Sequence, residues 1–260
     1  MNMKMITSKE NRIYRMCREL LLKKNRTRTG RYLVEGENLV REVAELGLAE
    51  IIVAREDYPK ETVFSGVETV FMTGKLFSGL VRTETDQGIL AMVRKKVPSV
   101  EAFLAKGAEG QGNVLVMDGV QDPGNIGAII RTAVGAGYSG ILATKGTGDI
   151  YSPKVVRAAA GALMRIPILA GVPPREAIEL LKEGGKRIIG TRPEGALPYG
   201  EVDLTKGCAL VIGNEGNGMS ETFCEHTSVN VTIPMMGGLE SLNVAVAAGI
   251  LMYRAMEKGK

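Results

Sequence analysis

Four polar or glycine-rich segments in the second half of the chain have the residue types of a ligand-binding site. They are DGVQDPGNIG (118–127), GTRPEG (190–195), GNEGNG (213–218) and IPMMGGLESLN (233–243). Glycines let a ligand approach the main chain closely, and Asn, Asp, Glu and Ser supply donors and acceptors that fix its orientation. The sequence therefore predicts a binding site wherever the fold brings these segments together.

The familiar nucleotide-binding and hydrolase motifs are missing from these segments. GNEGNG spaces its glycines as GxxGxG and lies late in the chain, so it is not the GxGxxG fingerprint that follows a first strand. The chain has neither GxxxxGK(S/T) nor GxSxG, which excludes a P-loop and a nucleophile-elbow hydrolase. DGVQDPGNIG also lacks the glycine pattern of an ordinary Rossmann-fold methyltransferase.

Cysteine and histidine usage argues against a metal centre or a disulfide framework. Cys17, Cys208 and Cys224 lie far apart and form no CxxC pair. His226 is the single histidine, so a multi-histidine metal site is excluded, and we expect His226 on a surface helix. We therefore expect no metal.

Predicted strands position the four segments. Strands over 113–118, 140–144, 166–170, 186–191, 208–213 and 229–234 alternate with helices over 124–137, 152–165, 174–184 and 241–256. Asn125 and Ser152 are the predicted N-caps of the first two helices, and Pro153 follows in the first turn. This alternation indicates a mostly parallel sheet covered on both faces, with ligands bound at the carboxyl ends of its strands.

The first half predicts a smaller α/β domain. It contains a helix over 9–25, strands over 31–36, 49–55, 67–72 and 88–94, and helices over 36–46 and 73–81. The run Arg94-Lys95-Lys96-Val97-Pro98 ends this domain, and KGAEGQGN (106–113) has the composition of a linker. We place the domains at 1–97 and 113–260, with a linker over 98–112.

Positive charge is concentrated at the N-terminus. Residues 1–31 hold ten Lys or Arg against two Glu, a net charge of +8, while the rest of the chain carries −4. This distribution predicts a polyanionic partner such as nucleic acid, and the alternative is a solvated helix face.

Membrane and secretory roles are not expected. The mean hydropathy is +0.04, and no apolar run approaches the ~20 residues that cross a bilayer. The N-terminus MNMKMITSKENRIYR shows no apolar stretch followed by a cleavage site, so we expect a cytoplasmic protein.

Three ordered blocks of the second half resemble the SpoU (TrmH) family of RNA ribose 2′-O-methyltransferases, within the SPOUT superfamily. They are DGVQDPGNIGAIIRTAVGAG (118–137), LVIGNEGNGMS (210–220) and IPMMGGLESLNVAVAAGILMYRA (233–255). In the first half, NRIYRMCRELLLKKNRTRTGRYLVEGENLVREV (11–43) is similar to the substrate-binding domain that many members carry. That domain resembles a ribosomal protein that binds kinked RNA.

The resemblance implies both a fold and an activity. The C-terminal SPOUT domain would form a deep trefoil knot, a rare exception to the rule that chains do not thread loops. Its loops would bind S-adenosyl-L-methionine in a bent conformation, and a homodimer would build each active site from both subunits. The two-domain layout favours 23S rRNA as the substrate. The alternatives are a tRNA 2′-O-methyltransferase, a SPOUT base methyltransferase, or a non-catalytic RNA-binding assembly factor that retains the knot.

The resemblance also assigns residue roles. The catalytic set would be Asn125, Arg131, Glu215, Ser241 and Asn243. The cofactor would contact Thr191, Gly195, Ile212, Gly213, Gly216, Ile233, Met235, Ser241 and Leu242, mostly through the main chain. RNA would be bound by Arg12, Lys23, Lys24, Arg26, Arg28, Arg31 and Glu35.

Each catalytic assignment has a structural alternative. Asn125, Ser241 and Asn243 could be helix caps, Glu215 a turn carboxylate, and Arg131 a side chain extended to solvent. Arg131 stands where the family has its catalytic arginine, which is proposed to act as a base. A guanidinium resists deprotonation, so our hypothesis is that Arg131 binds an RNA phosphate and stabilises developing alkoxide charge.

Overall fold

The computed structural model describes residues 4–59, 64, 66–82, 86–105, 112–238 and 241–257. The chain divides into two compact units. The first comprises Met1–Lys96 together with Tyr151–Gly161, and the second comprises Val97–Ile150 together with Ala162–Lys260.

The first unit is a mixed sheet with helices. Its described strands are β1 (Met5–Ile6), β2 (Arg31–Glu35), β3 (Ala49–Arg55), β4 (Thr69–Met72) and β5 (Ile89–Arg94), in the order β1-β4-β3-β5-β2. β5 runs antiparallel to both β2 and β3, whereas β4 runs parallel to β1 and β3. The helices are α1 (Arg12–Glu19), α2 (Lys23–Thr29), α3 (Glu37–Glu45) and α4 (Gly74–Phe77). Buried Cys17, Val53, Met72, Phe77 and Leu90 belong to its core.

The single helix predicted over 9–25 is wrong, because the chain forms α1 and α2 with a break at Leu20–Leu22. The side-chain amide of Asn25 donates to the Glu19 carbonyl at 3.0 Å, and the Arg26 guanidinium donates to the Leu20 carbonyl at 2.5 Å. These bonds satisfy carbonyls left open where α1 ends. Apolar spacing continues through the break, so periodicity did not reveal it.

Part of the predicted second domain packs within the first unit. After Tyr151 and the N-cap Ser152, helix α7 (Pro153–Ala159) begins at Pro153, as predicted. It ends before Ala160, whose φ of 45° is left-handed, so the predicted extension to residue 165 is wrong. The Tyr151 ring lies 5.1 Å from that of Tyr32, which anchors the segment on β2.

The second unit has the α/β architecture expected from the sequence. Its described strands are β6 (Val114–Asp118), β7 (Gly140–Thr144), β8 (Ile168–Val172), β9 (Arg187–Thr191), β10 (Leu197–Pro198), β11 (Cys208–Gly213) and β12 (Val229–Thr232). They follow the order β10-β12-β9-β11-β6-β7-β8, and all neighbours pair in parallel. The helices are α5 (Val100–Ala105), α6 (Pro123–Gly135), α8 (Pro174–Glu183), α9 (Glu221–Cys224) and α10 (Val244–Glu257). The six predicted strands are confirmed, and β10 was not predicted.

The centre of this sheet brings two of the glycine-rich segments side by side. β6 and β11 are neighbours, and Gly213 lies opposite Asp118 in their register. The chain therefore leaves both strands at the same point of the carboxyl edge. α6, which follows β6, packs against α10. No helix in the described ranges has the length and hydropathy to cross a bilayer.

Candidate active site

The Glu215 carboxylate joins two loops at the carboxyl edge of the second sheet. It accepts hydrogen bonds from the main-chain N–H groups of Gln121 (3.1 Å) and Asp122 (3.2 Å), and from Nδ2 of Asn125 (3.1 Å). Partial burial opposes ionisation, but these donors outweigh it and lower the pKa of Glu215. Glu215 is therefore an ionised acceptor with its oxygens engaged, which suits a positioning role better than that of a base.

Asn125 extends this arrangement to a third loop. Its Oδ1 accepts a 3.0 Å hydrogen bond from Nδ2 of Asn243. The Oδ1 of Asn243 in turn accepts from the N–H groups of Ala245 (2.9 Å) and Val246 (3.3 Å), at the start of α10. Glu215, Asn125 and Asn243 thus form one hydrogen-bonded chain, which we call the Glu-Asn-Asn chain.

The prediction that Asn125 caps its helix is wrong. The N-cap of α6 is Asp122, whose Oδ1 accepts from the N–H of Asn125 at 2.9 Å, and Pro123 occupies the first turn. An Asp followed by Pro suits the N-cap and first helical positions. Because Asp122 supplies the cap, the Asn125 amide is available to bridge Glu215 and Asn243.

Two residues that the sequence analysis did not single out support these loops. Buried Asp118 accepts a 3.0 Å hydrogen bond from the Thr144 hydroxyl and one of 2.7 Å from the N–H of Ser220. Asn214 donates to the Gly119 carbonyl at 2.9 Å, and its Oδ1 accepts from two N–H groups of its own turn. A buried carboxylate needs such partners, so an Asp at the end of an apolar strand was an available signal.

Gly213 allows the loop after β11 to fold back on itself. A Cβ at this position would lie 2.3 Å from the carbonyl carbon of Gly218 and from the nitrogen of Met219. Asn214 and Gly218 pair through two main-chain hydrogen bonds of 2.8 and 2.9 Å. The closed turn holds Glu215 next to the loop that follows β6.

Arg131 and Ser241 lie apart from the Glu-Asn-Asn chain. Arg131 is exposed on α6, ~9 Å along the helix axis from Asn125. Within the described part of the molecule, neither the Arg131 guanidinium nor the exposed Ser241 hydroxyl has a hydrogen-bond partner. Both groups can therefore bind a ligand or substrate.

The predicted cofactor residues lie on three segments that leave neighbouring parallel strands, β12, β9 and β11. Thr191, Gly195, Ile212, Gly213, Gly216, Ile233, Met235, Ser241 and Leu242 are the residues concerned. Thr191 Oγ1 donates to the Val211 carbonyl at 2.9 Å, which ties β9 to β11. Ile212 is buried, so a ligand would meet its main chain. Gly195 has a left-handed φ of 64°, and Ile233, Met235 and Leu242 are half-buried.

The described residues contain no cluster of His, Cys, Asp or Glu suited to a metal ion. His226 is half-buried, and its Nδ1 lies 2.9 Å from the Thr222 carbonyl, just after α9. The expectation of a surface helix is therefore wrong for His226, which lies in the turn that follows α9.

The structure separates the predicted RNA-binding residues of the first unit into two groups. Arg12, Lys23, Lys24 and Arg28 are exposed, and Arg31 is half-buried. Arg28 pairs with Glu19 at 3.1 Å, and Arg31 pairs with Glu50.

Two RNA-binding predictions need correction. Arg26 is buried and its guanidinium donates to the Leu20 carbonyl, so it stabilises the break between α1 and α2. The Glu35 side chain is only 8% exposed and pairs with Arg157 of α7 at 3.4 Å. Burial raises the pKa of Glu35, although Arg157 and the N–H of Arg82 offset part of the effect. A buried carboxylate of the same charge sign as phosphate is a structural group.

Comparison with models of protein families shows which family this chain belongs to. Residues 112–253, more than half of the chain, match the model of the SpoU rRNA Methylase family. The chain belongs to the SpoU rRNA methylase family. Residues 11–91 match an MRM3-like substrate binding domain. The resemblance stated from the sequence is thus confirmed.

Individual SpoU relatives are similar along nearly the whole chain. The 23S rRNA (guanosine(2553)-2'-O)-methyltransferase RlmP of Bacillus subtilis is 37% identical over 96% of this chain and 98% of its own length. The AdoMet-bound rRNA methyltransferase from Sinorhizobium meliloti superposes with a TM-score of 0.86 at 29% identity, covering 98% of both chains. The SpoU methyltransferase AviRb from Streptomyces viridochromogenes, in complex with AdoMet, gives a TM-score of 0.83 at 26% identity, covering 96% of this chain and 99% of its own. These similarities confirm the expected fold class.

Proposed function

We propose that this protein transfers a methyl group from S-adenosyl-L-methionine to a ribose 2′-OH of ribosomal RNA, and of 23S rRNA in particular. The observation that carries the proposal is the Glu-Asn-Asn chain, which joins the three family-specific loops. The exposed guanidinium of Arg131 lies further along α6 and has no partner among the described residues. The similarity to RlmP, a 23S rRNA 2′-O-methyltransferase, supports the reaction and the substrate. Two AdoMet-bound neighbours support the cofactor.

The residues at the carboxyl edge fit an adenosyl group and a methionine chain. Half-buried Ile233, Met235 and Leu242 offer apolar surface, exposed Gly195 offers its main-chain groups, and exposed Gly216 offers its carbonyl, since its N–H donates to Asn214. When bound, S-adenosyl-L-methionine supplies a methyl group already activated by the sulfonium charge. The protein then has to hold the ribose hydroxyl in line and stabilise the charge that develops on its oxygen.

We assign these tasks to individual residues on the basis of their hydrogen bonds. Glu215 receives three N–H donors and has a lowered pKa, so it fixes loop geometry and does not take up the 2′-OH proton. A guanidinium keeps its proton in proteins but binds phosphate through two parallel N–H groups. We assign to Arg131 the binding of an RNA phosphate and the electrostatic stabilisation of the developing alkoxide. We assign to Ser241, which is exposed two residues before Asn243, a contact with the cofactor or the ribose.

The proposal includes a homodimer in the cytoplasm. Val246, Tyr253 and Met256 of α10 are apolar or aromatic residues that remain 51%, 46% and 44% exposed. A cleft of about 520 Å³ lies beside Tyr253, lined also by Pro198, Tyr199 and Pro234. A second copy covering this surface would remove it from water. The trefoil knot stays a prediction from the family resemblance.

Methyl transfer to unmodified RNA tests the proposed function. Tritiated S-adenosyl-L-methionine is incubated with unmodified 23S, 16S and tRNA fractions, and the labelled site is mapped by its resistance to alkaline cleavage. Label in 23S rRNA with alkaline resistance is the expected result. Label in tRNA alone would overturn the assignment of 23S rRNA as the substrate. Label at a nucleotide that alkali still cleaves would indicate a base methyltransferase. Cofactor binding without transfer to any fraction would favour the assembly factor.

Arg131 variants test the assigned chemistry in the same assay. Arg131→Ala and Arg131→Lys should each lower kcat by ~100-fold or more, because neither retains the planar two-donor fork. Arg175→Ala removes an exposed arginine from α8 of the same unit and serves as the matched control. Near-normal turnover of Arg131→Lys would contradict the role given to the guanidinium.

A further inference from the structure

The first unit brings two basic segments, about sixty residues apart in sequence, to one edge of its sheet. β2 is the edge strand, and in its antiparallel pairing with β5 Arg31 lies opposite Arg94. The N–H of Lys95 donates to the carbonyl of Gly30, the residue between α2 and β2, at 2.8 Å. The run Arg94-Lys95-Lys96 therefore continues beside the turn that follows Arg28.

Arg94 is held in place while most of its side chain faces solvent. Its guanidinium donates to Glu50 of β3 through Nε at 2.8 Å and through a terminal nitrogen at 2.6 Å. The Arg94 side chain remains 70% exposed, against 31% for Arg31, which binds the same carboxylate. A guanidinium has five N–H donors, so Arg94 keeps donors for a second anion after binding Glu50. An anchored fork of this kind is suited to phosphate.

The two lysines that follow differ in role. The Lys95 ammonium lies 4.4 Å from the centre of the Tyr151 ring and is half-buried, so it anchors the end of β5. Lys96 is exposed. Anchoring by Lys95 places the charge of Lys96 at a defined point beyond the strand.

The charges at this edge exceed what the fold requires. Glu50 is already balanced by Arg31, and a second arginine directly across the strands adds like-charge repulsion. Four cations, Arg28, Arg31, Arg94 and Lys96, meet two contacting carboxylates, Glu19 and Glu50, among the described residues, which leaves a surplus of +2. Such a surplus is the electrostatic footprint of a polyanion site.

We propose that Arg94 and Lys96 contact backbone phosphates of the RNA substrate, together with Arg28 across the same edge. This inference rests on the proposed RNA methyltransferase function. It extends the RNA surface from the N-terminal helices to the end of β5, which the basic N-terminus alone did not indicate.

The test is the salt dependence of RNA binding. Full-length wild type and Arg94→Gln/Lys96→Gln are titrated with unmodified, fluorescently labelled 23S rRNA transcript at several KCl concentrations. Each lost phosphate contact lowers the slope of log affinity against log salt by ~0.7, so the double variant should lose ~1.4. Affinity should fall by about tenfold, and KM for RNA should rise more than kcat falls. The affinity for S-adenosyl-L-methionine should not change.

A matched control removes the same charge elsewhere in the first unit. Lys75→Gln/Arg41→Gln deletes two exposed cations from α4 and α3 and should keep the wild-type slope. Arg94→Lys keeps the charge and should keep the slope, which guards against a folding defect in the double variant. Equal slopes for the two double variants would overturn the inference while leaving methyl transfer intact. Absence of RNA binding and methyl transfer in the wild type would overturn the proposed function itself.

Discussion

Asn125 and Asn243 lie 118 residues apart in the chain, yet the side-chain oxygen of Asn125 accepts a 3.0 Å hydrogen bond from the amide of Asn243. The same Asn125 amide donates to Glu215, so one side chain links the loops after β6, after β11 and before α10. An amide carries a donor and an acceptor on separate atoms, and Asn125 uses its nitrogen for Glu215 and its oxygen for Asn243. The three loops that carry the family motifs are therefore held in one geometry by a single residue.

Removing that amide should impair activity more than folding. Asn125→Ala leaves Glu215 and Asn243 each without one partner, so we expect a loss of ~1–3 kcal/mol in the free energy of unfolding. Activity should fall roughly 100-fold, since small misplacement of a reacting group is costly. Urea denaturation and methyl transfer measure the two effects. Asn38→Ala, on the exposed face of α3, is the control. Full activity of Asn125→Ala would contradict the positioning role.

The lowered pKa of Glu215 predicts a pH-dependent contribution to stability. A carboxylate whose folded pKa is depressed stabilises the fold above its ordinary value of about 4.5, and this stabilisation is lost as pH falls through the folded value. Glu215→Gln should therefore unfold more easily than wild type at pH 7, and the two should converge as pH falls below 4.5 and through the lowered pKa of Glu215. Denaturant unfolding from pH 7 to pH 3 tests this. A difference that stays constant with pH would contradict the assignment.

Much of the fold followed from local patterns in the sequence. Apolar strands between helices predicted the parallel sheet, and the rule that parallel strands share a carboxyl edge predicted that the loops near Asp118 and Gly213 meet. The hydrogen-bond partners of the polar side chains could not be predicted from the sequence. A residue that caps a helix and a residue that bridges two loops are of the same type and stand at the same end of the helix. Asp122 and Asn125 both suit an N-cap, and only the tertiary structure shows which one bridges.

Other features depend on contacts between distant segments. The break between α1 and α2 is satisfied by Asn25 and Arg26, whose polar types gave no sign of burial. The placement of α7 in the first unit depends on Glu35 and Arg157, which are 122 residues apart. Pairings at such separations leave no periodicity in a single sequence.

The Glu35–Arg157 pair should contribute more to stability than an exposed pair in the same unit. Arg157→Ala leaves the nearly buried Glu35 carboxylate without its counter-charge, whereas Arg41→Ala breaks the exposed pair with Glu37. We expect ~0.5 kcal/mol for Arg41→Ala, and a loss for Arg157→Ala between that value and the ~3–5 kcal/mol of a fully buried pair. Thermal and urea unfolding of both variants measure the difference. Equal losses would show that α7 is held by its apolar contacts alone.

Gly213 and Gly200 of the second unit differ in whether the fold leaves room for a side chain at their position. Gly213→Ala places a Cβ 2.3 Å from main-chain atoms of Gly218 and Met219, so the turn that carries Glu215 has to open. We expect a destabilisation of ~3 kcal/mol or more, together with loss of methyl transfer. Gly200→Ala meets no atom within 4 Å and does not have a positive φ, so it should leave stability and transfer near wild type. The two variants are compared by urea unfolding and by binding of S-adenosyl-L-methionine. Wild-type cofactor affinity in Gly213→Ala would show that the cofactor does not depend on this turn, and would remove Gly213 and Gly216 from the proposed binding residues.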